Sequence, residues 1–467
     1  FKDGEGLKAF NAFLLEIEKL RRYGFTEAED TRAKENILQA YERAVEAAAT
    51  RKNAEFVRPI LNNFFFNEPI LTPETDQQIA QAICSQLNAQ VLNQMLPQLL
   101  KEQNVLVLFN GPEKEGLVNP TEAELAEVYA AAKNAEIAPN AEETVNEPLL
   151  DASKLKGAAV KKEKTGIYGE TVWTLKNGVK VVVLPTDYKK DQVIINLSMD
   201  GGRTLISTED LPSFEDNIWK LFMRNCGLSK FSGSALPKML AGKSAGANPF
   251  ISNLTHGISA SSTPKDIETA FQLLYLTFTD PRFDSDEYEI GLQQIRAILP
   301  NIKHDPDFLF QTEKEKIFYN NNPRVLSLSE ELIEKANIAT VERVYRELFK
   351  DAAGAEVTII GNVDLASLKP LVEKYIGSLP KGKKATDWNA DNCISVADGQ
   401  IEKTVSLKME TPKSTVHQLY TAYLPVDIKT NVTLDVANYI LDMIYTKKIR
   451  EEQGGTYGVG SALQGRR

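Results

Sequence analysis

At 467 residues the chain exceeds what one hydrophobic core holds, and two to four domains are expected. A hydrophobic content of 42% with 25% charged residues is that of a folded globular protein rather than a disordered one. The net charge of −10, with no Lys/Arg cluster interleaved with aromatics, argues against a nucleic-acid partner, and no apolar run approaches the length of a membrane span.

Residues 1–50 read as two helices. Phe10, Phe13, Leu14, Ile17 and Leu20 recur at helical spacing, and Thr26-Glu27-Ala28-Glu29 is a capping box that opens the second. Helices are expected over Glu55 to Phe66 and Pro73 to Leu87, the latter starting at Thr75/Asp76. Asn104 to Phe109 reads as a short strand closed by Asn110-Gly111-Pro112. Thr121 to Glu124 is a second capping box, opening a helix to about Asn134.

Glu136 to Thr165 has the composition of a linker. Its charge flips from Glu142, Glu143, Glu147 and Asp151 to Lys154, Lys156, Lys161, Lys162 and Lys164, which suggests an exposed tether. Beyond it, Thr171–Leu175 and Val179–Leu184 flank Asn177-Gly178, the strongest two-residue hairpin signal. Val193–Met199 alternates as a third strand. Helices are expected at Ser213–Asn225, Ser234–Leu240 and Ile267–Phe278, with one or two strands over Ile251–Ser262.

A helix from Ser285, further helices, a strand at Ala355–Val363 and a helix from Leu365 to Ile376 then echo the first part of the chain. The intervals from helix start to strand are similar: Thr26 to Val105 is 79 residues and Ser285 to Val357 is 72. Such an echo argues for duplicated α/β units, although helix–strand–helix order is also common by chance. Strands are expected at Lys403–Met409 and Val416–Tyr423, followed by a helix from Leu434 to Lys448.

That helix delivers Arg450 near its end. Gly454-Gly455 stops it, because glycine takes the left-handed conformation that a helix end needs, and Tyr457 opens a strand-like run. Arg450 offers a planar fork of donors and Tyr457 a hydroxyl, so both can serve a carbonyl or a developing oxyanion in one cleft. The plainer alternative is a solvated arginine and a packed tyrosine in an ordinary helix–turn–strand unit.

Cys84, Cys226 and Cys393 are scattered, without CxxC spacing, and read as buried free thiols. His256, His304 and His417 are too far apart to form a His-x-x-x-His pair, so no metal site is expected from this chain's own residues. No signal peptide opens the sequence, and both ends look cut: it starts at Phe1 without Met, and Arg467 follows Tyr457 too closely to complete a domain.

Six stretches carry a resemblance to the pitrilysin/insulinase family of inverted-zinc metallopeptidases, in its bacterial form with four homologous domains on one chain. They are Leu20–Lys34, Thr174–Asp191, Phe231–Lys243, Ser261–Leu276, Val357–Pro380 and Ile449–Val459, in family order across nearly the whole chain. The resemblance implies an α+β fold of repeated two-layer units, each an antiparallel-rich mixed sheet packed on helices. Residues 1–140 would be the latter part of the second domain and 141–166 the tether between halves. Residues 167–395 would be the third domain, without zinc ligands, and 400–467 the first part of the fourth.

By the same resemblance, the zinc ligands and the general base belong to a first domain missing here. No His-x-x-Glu-His motif occurs, and Glu215 and Asp216, where such a motif would sit, have no histidine nearby. Arg450 and Tyr457 match the family's Arg/Tyr pair, expected to hold the substrate backbone and stabilise the oxyanion. Gly455 would let the substrate backbone approach, while Gly454 and Gly458 shape the turn. The expected partners are peptide substrates and the missing N-terminal catalytic domain, and a homo-oligomer is compatible with the family. Relatives of this layout are often periplasmic. The expected function is therefore the portion of a zinc endopeptidase that bears no zinc, inactive alone. The alternatives are a non-catalytic structural or peptide-binding relative, or a regulatory module of unrelated ancestry.

Overall fold

The computed structural model describes residues 4–463 apart from 102, 112–114, 141–146, 384, 408 and 410. Glu142 and Glu143 of the expected tether thus lie outside the described residues. The chain divides into two compact units, Phe1–Leu309 with Pro323–Ile394 and Phe310–Asn322 with Ser395–Arg467.

The first unit opens with helices Gly6–Tyr23, Glu27–Glu46, Ala54–Phe66, Pro73–Gln86, Ala89–Leu99 and Glu122–Ala132. Both capping boxes form. The Thr26 hydroxyl accepts from Glu29 N–H at 3.2 Å while the Glu29 carboxylate accepts from Thr26 N–H at 2.8 Å, and Thr121 and Glu124 repeat the exchange. The helix at Pro73 is capped by Thr72, whose hydroxyl accepts from Thr75 N–H, so its start lies upstream of the expected Thr75/Asp76. Arg22 and Tyr23 reach across to the carbonyls of Lys133, Ala135 and Ile137 at 2.5–2.7 Å, tying the segment after the last of these helices to the first.

Asn104–Phe109 is not a strand. Its pattern is strand-like, but no segment among the described residues pairs with it, and Leu106 and Leu108 stand exposed. The echo between the two parts of the chain therefore loses the strand that marked its first copy.

A seven-stranded mixed sheet follows, built from β1 (Val160–Thr165), β2 (Thr171–Leu175), β3 (Lys180–Pro185), β4 (Val193–Asp200), β5 (Ala245–Ile251), β6 (Thr255–Ser262) and β7 (Glu356–Gly361). The spatial order is β1-β2-β3-β7-β4-β6-β5. The β2–β3 hairpin turns at Asn177-Gly178, where the Asn177 amide also donates to the Ile376 carbonyl at 2.9 Å. β7 inserts between β3 and β4, parallel to the first and antiparallel to the second, with Ile359 beside both Val183 and Ile195.

Burial alternates along the central strands. Val181, Val183, Ile195, Leu197, Val357 and Ile359 are fully buried on the face that packs with Phe271, Leu274, Val372 and Tyr345 from the helices. Side chains on the opposite face, such as Asn196, Thr358 and Ser259, stay half-buried or exposed, as expected of an antiparallel-rich sheet with one wet side.

β1 corrects the tether expectation, because Val160–Thr165 of the lysine-rich stretch is an edge strand of the sheet. Its period is masked by charge: every residue after Val160 is exposed, and Glu163 pairs with Lys369 at 2.9 Å. Charged side chains are the usual dress of a sheet edge. Of the three thiols, Cys84 and Cys226 are buried as expected, but Cys393 is exposed.

In the second unit, helix Ile428–Tyr445 is capped by Asp427, whose carboxylate accepts from Thr430 N–H at 2.7 Å. The described residues of Lys403–Met409 and Val416–Tyr423 do not form the expected strands, and Tyr457 does not open one. Each run alternates locally but finds no hydrogen-bonding partner segment among the described residues.

Candidate functional site

Helix Ile428–Tyr445 does not stop at Tyr445. It widens into a π-helical stretch, Thr446–Glu452, which carries Arg450 on an exposed surface. Such local widenings recur at functional sites. The stop comes where the sequence placed it. Gly454 sits at φ +60°, and Gly455 N–H reaches back to the Ile449 carbonyl at 3.2 Å, six positions earlier and so one position wider than the usual closure of a glycine-capped α-helix. The Thr456 hydroxyl then donates to the Gly458 carbonyl at 2.9 Å and accepts from Gly458 N–H at 3.1 Å. That small turn holds Tyr457 at its apex, 97% exposed.

The chain then folds back on its own helix. The Asp442 carboxylate accepts from Ser461 N–H at 2.5 Å and from the Ser461 hydroxyl at 2.8 Å, and the Asn438 side-chain amide oxygen accepts from Leu463 N–H at 3.1 Å. Asn438 and Asp442 therefore decide where the Tyr457 turn lies. Sequence reasoning missed both, although two polar residues one helical turn apart in the apolar second half of the helix were a readable signal. Arg450 and Tyr457 are thus seven positions apart around a fixed bend, and both project to solvent. Among the described residues, neither side chain makes a hydrogen bond.

Chemically the bend presents a guanidinium with five donors and a phenol with one, aimed at no internal acceptor. Such donors stabilise a developing oxyanion strongly only where water is excluded, because the attraction falls as the local dielectric rises.

The remaining candidates are occupied elsewhere. Glu215 caps helix Asp216–Asn225, accepting from Asn217 N–H at 2.8 Å and Ile218 N–H at 3.2 Å, and burial raises its carboxyl above the usual range. Asp216 is shared by Arg203 and Lys220. His256 is 2% exposed: its Nδ1 accepts from Gly202 N–H at 3.3 Å, so Nε2 carries the proton and donates to the Leu348 carbonyl at 3.0 Å. His417 packs edge-on to Phe310 at 5.4 Å between ring centres, and burial lowers its pKa. Among the described residues, no group of three or more His, Cys, Asp or Glu side chains converges to hold a metal ion, so the donors present do not fit zinc.

Residues 335–466 match the family described as Peptidase M16 inactive domain. The chain is 25% identical over 475 aligned positions to the probable zinc protease PqqL of Escherichia coli K12, covering 99% of this chain and 49% of that protein. It is 22% identical over 369 positions to a zinc protease PQQL-like protein of Arabidopsis thaliana, covering 78% of this chain and 36% of that one. The chain thus spans half or less of the length of these relatives. The fold is that of the periplasmic protease PqqL from Escherichia coli, with a TM-score of 0.59 at 21% identity over 100% of this chain and 51% of that one. The ferredoxin protease FusC, solved with Arabidopsis ferredoxin, gives 0.59 at 18% identity, over 98% and 50%. The inactive-domain match, the PqqL-type relatives and the shared fold together support this chain's place in the M16, pitrilysin/insulinase-like family.

Proposed function

We propose that the chain is the portion of a zinc-dependent endopeptidase that bears no zinc, and that it supplies the Arg450/Tyr457 pair to a site completed by other parts of the parent polypeptide. The observation that carries this reading is the bend itself. A capped π-helical end and a Thr456-pinned turn present two exposed, unengaged donors on one short loop, and Asp442 and Asn438 fix that loop to its helix. In this reading Gly455 leaves room for substrate backbone, because a Cβ there would meet only the Ile449 carbonyl at 3.9 Å. Residues 1–140, 167–395 and 400–467 would be parts of three homologous units, and the middle one serves as scaffold. When bound, zinc would supply the activated water, and the metal and the general base lie outside this chain's residues.

Once a peptide covers the bend and displaces water, the Tyr457 hydroxyl donates to the oxyanion that forms on the attacked carbonyl. The Arg450 fork holds the flanking backbone carbonyls. Loss of one such donor typically lowers kcat by about 10²–10³-fold. The test is peptide turnover by the full-length parent protein carrying Tyr457→Phe or Arg450→Ala. Rates within about threefold of wild type, under ~1 kcal/mol of barrier, would reject the assignment.

A second reading, a non-catalytic structural or peptide-binding relative, is favoured by one observation: the matched family is described as an inactive domain. A parent protein with no His-x-x-Glu-His motif and no metal-dependent turnover would establish it.

A further inference from the structure

At one edge of the sheet, β5 pairs with β6 on one side and, among the described residues, with no strand on the other. Ser252 N–H donates to the Thr255 carbonyl at 2.8 Å and Thr263 N–H to the Ser244 carbonyl at 3.1 Å, so the even-numbered residues between them face β6. Ala245, Ala247 and Ile251 therefore turn N–H and C=O away from the sheet. Pro249 turns out only a carbonyl, in the one orientation a strand proline tolerates.

Beside this edge lies a groove of about 620 Å³, between β5, helix Asp216–Asn225 and helix Ser285–Ile302. Leu221, Ile295, Ile298 and Ile302 give it an apolar lining, with Asn248 and Pro249 on the strand side. Ile298 remains 54% exposed. On the rim, Lys220 is paired with Asp216 at 3.0 Å, while Arg224 has no ion-pair partner among the described residues.

These features select one kind of occupant. A bare strand edge is satisfied by another extended backbone, an apolar trough takes an alternate side chain of that backbone, and a free guanidinium favours a carboxylate. We infer that this groove docks an extended polypeptide segment bearing an aliphatic side chain and an acidic residue, added as a further strand beside β5. Docking here uses neither Arg450 nor Tyr457, so it stands or falls separately from the peptidase reading.

The test is fluorescence anisotropy with the 467-residue chain and a fluorescein-labelled peptide of about ten residues, alternating Thr with Val or Leu and carrying one Asp. Saturable binding is expected. Ala247→Pro removes one outward donor at a position where proline is tolerated, and Ile298→Asp places a carboxylate in the trough. Each should weaken binding at least about tenfold while the emission of Trp173 and Trp219, both buried, stays native. Arg224→Glu should reverse the preference toward a peptide with Lys in place of Asp. No saturable binding up to about 1 mM, or unchanged affinity in both Ala247→Pro and Ile298→Asp, would overturn the docking assignment. Equal affinity of Arg224→Glu for the two peptides would overturn its acidic part. A dimer by light scattering that Ala247→Pro dissolves would give the edge to a second copy instead.

Discussion

His256 offers the sharpest perturbation of the fold. Its ring lies on β6 opposite Met199, 2% exposed, and bridges the Gly202 turn to the carbonyl of Leu348. Burial lowers its pKa from 6.5; the hydrogen bond to the Leu348 carbonyl and, less, the charge of Asp200 act in the opposite direction but do not offset the lost solvation. The unfolded chain therefore binds a proton more readily than the folded one. The stability due to a neutral His256 is complete above pH 6.5 and is lost as pH falls toward the folded value. The slope cannot exceed about 1.4 kcal/mol per pH unit, so between pH 6.5 and 5.0 the loss is at most about 2 kcal/mol. His256→Phe should remove that pH dependence. At pH 7.5 it should also cost about 2–4 kcal/mol, because it leaves the Gly202 N–H and the Leu348 carbonyl without partners. Urea unfolding followed by emission of Trp173 and Trp219, at pH 7.5 and 5.0, measures both effects. Comparing variant with wild type cancels other titrating groups, including Glu215, whose raised pKa acts with the opposite sign. If wild type and variant lost the same stability between the two pH values, the neutral buried tautomer would be wrong.

Gly454→Ala should loosen the Arg450 bend by roughly 1 kcal/mol, because residue 454 sits at φ +60°, whereas Gly455→Ala should be nearly silent for stability; denaturant titration of the two variants separates them. Asp442→Ala frees Ser461 from the helix, and in the parent protein it should lower kcat about tenfold while leaving KM and the unfolding of the sheet unit little changed. A shift confined to the melting temperature would assign Asp442 to folding alone. Cys226, whose thiol burial pushes up to about 12, and buried Cys84 should resist maleimide at pH 8 in the native protein, while exposed Cys393 reacts within minutes; peptide mass mapping reads the order.

Much of the local structure was legible because its causes lie within a few residues. A capping box closes between Thr26 and Glu29, a hairpin turns at Asn177-Gly178, and Gly454 ends its helix; each is complete over a span that a reader of sequence sees whole. Helices such as Gly6–Tyr23 close their backbone hydrogen bonds internally, so periodicity alone announces them, whereas Ile428–Tyr445 starts six residues ahead of the expected Leu434 because its first turns are polar. Strands do not, because each needs a partner that may be far along the chain. That is why Val160–Thr165, written mostly in charged residues, is a strand, while the apolar run Asn104–Phe109 is not. The same reason hid the insertion of β7 between β3 and β4, where Ile359 meets Val183 from a distant part of the chain. At the candidate site, residue type and spacing picked out Arg450, Gly455 and Tyr457, but only the folded chain placed Ser461 on Asp442. Sequence alone determined what closes on itself; tertiary structure decided what has to be met by something else.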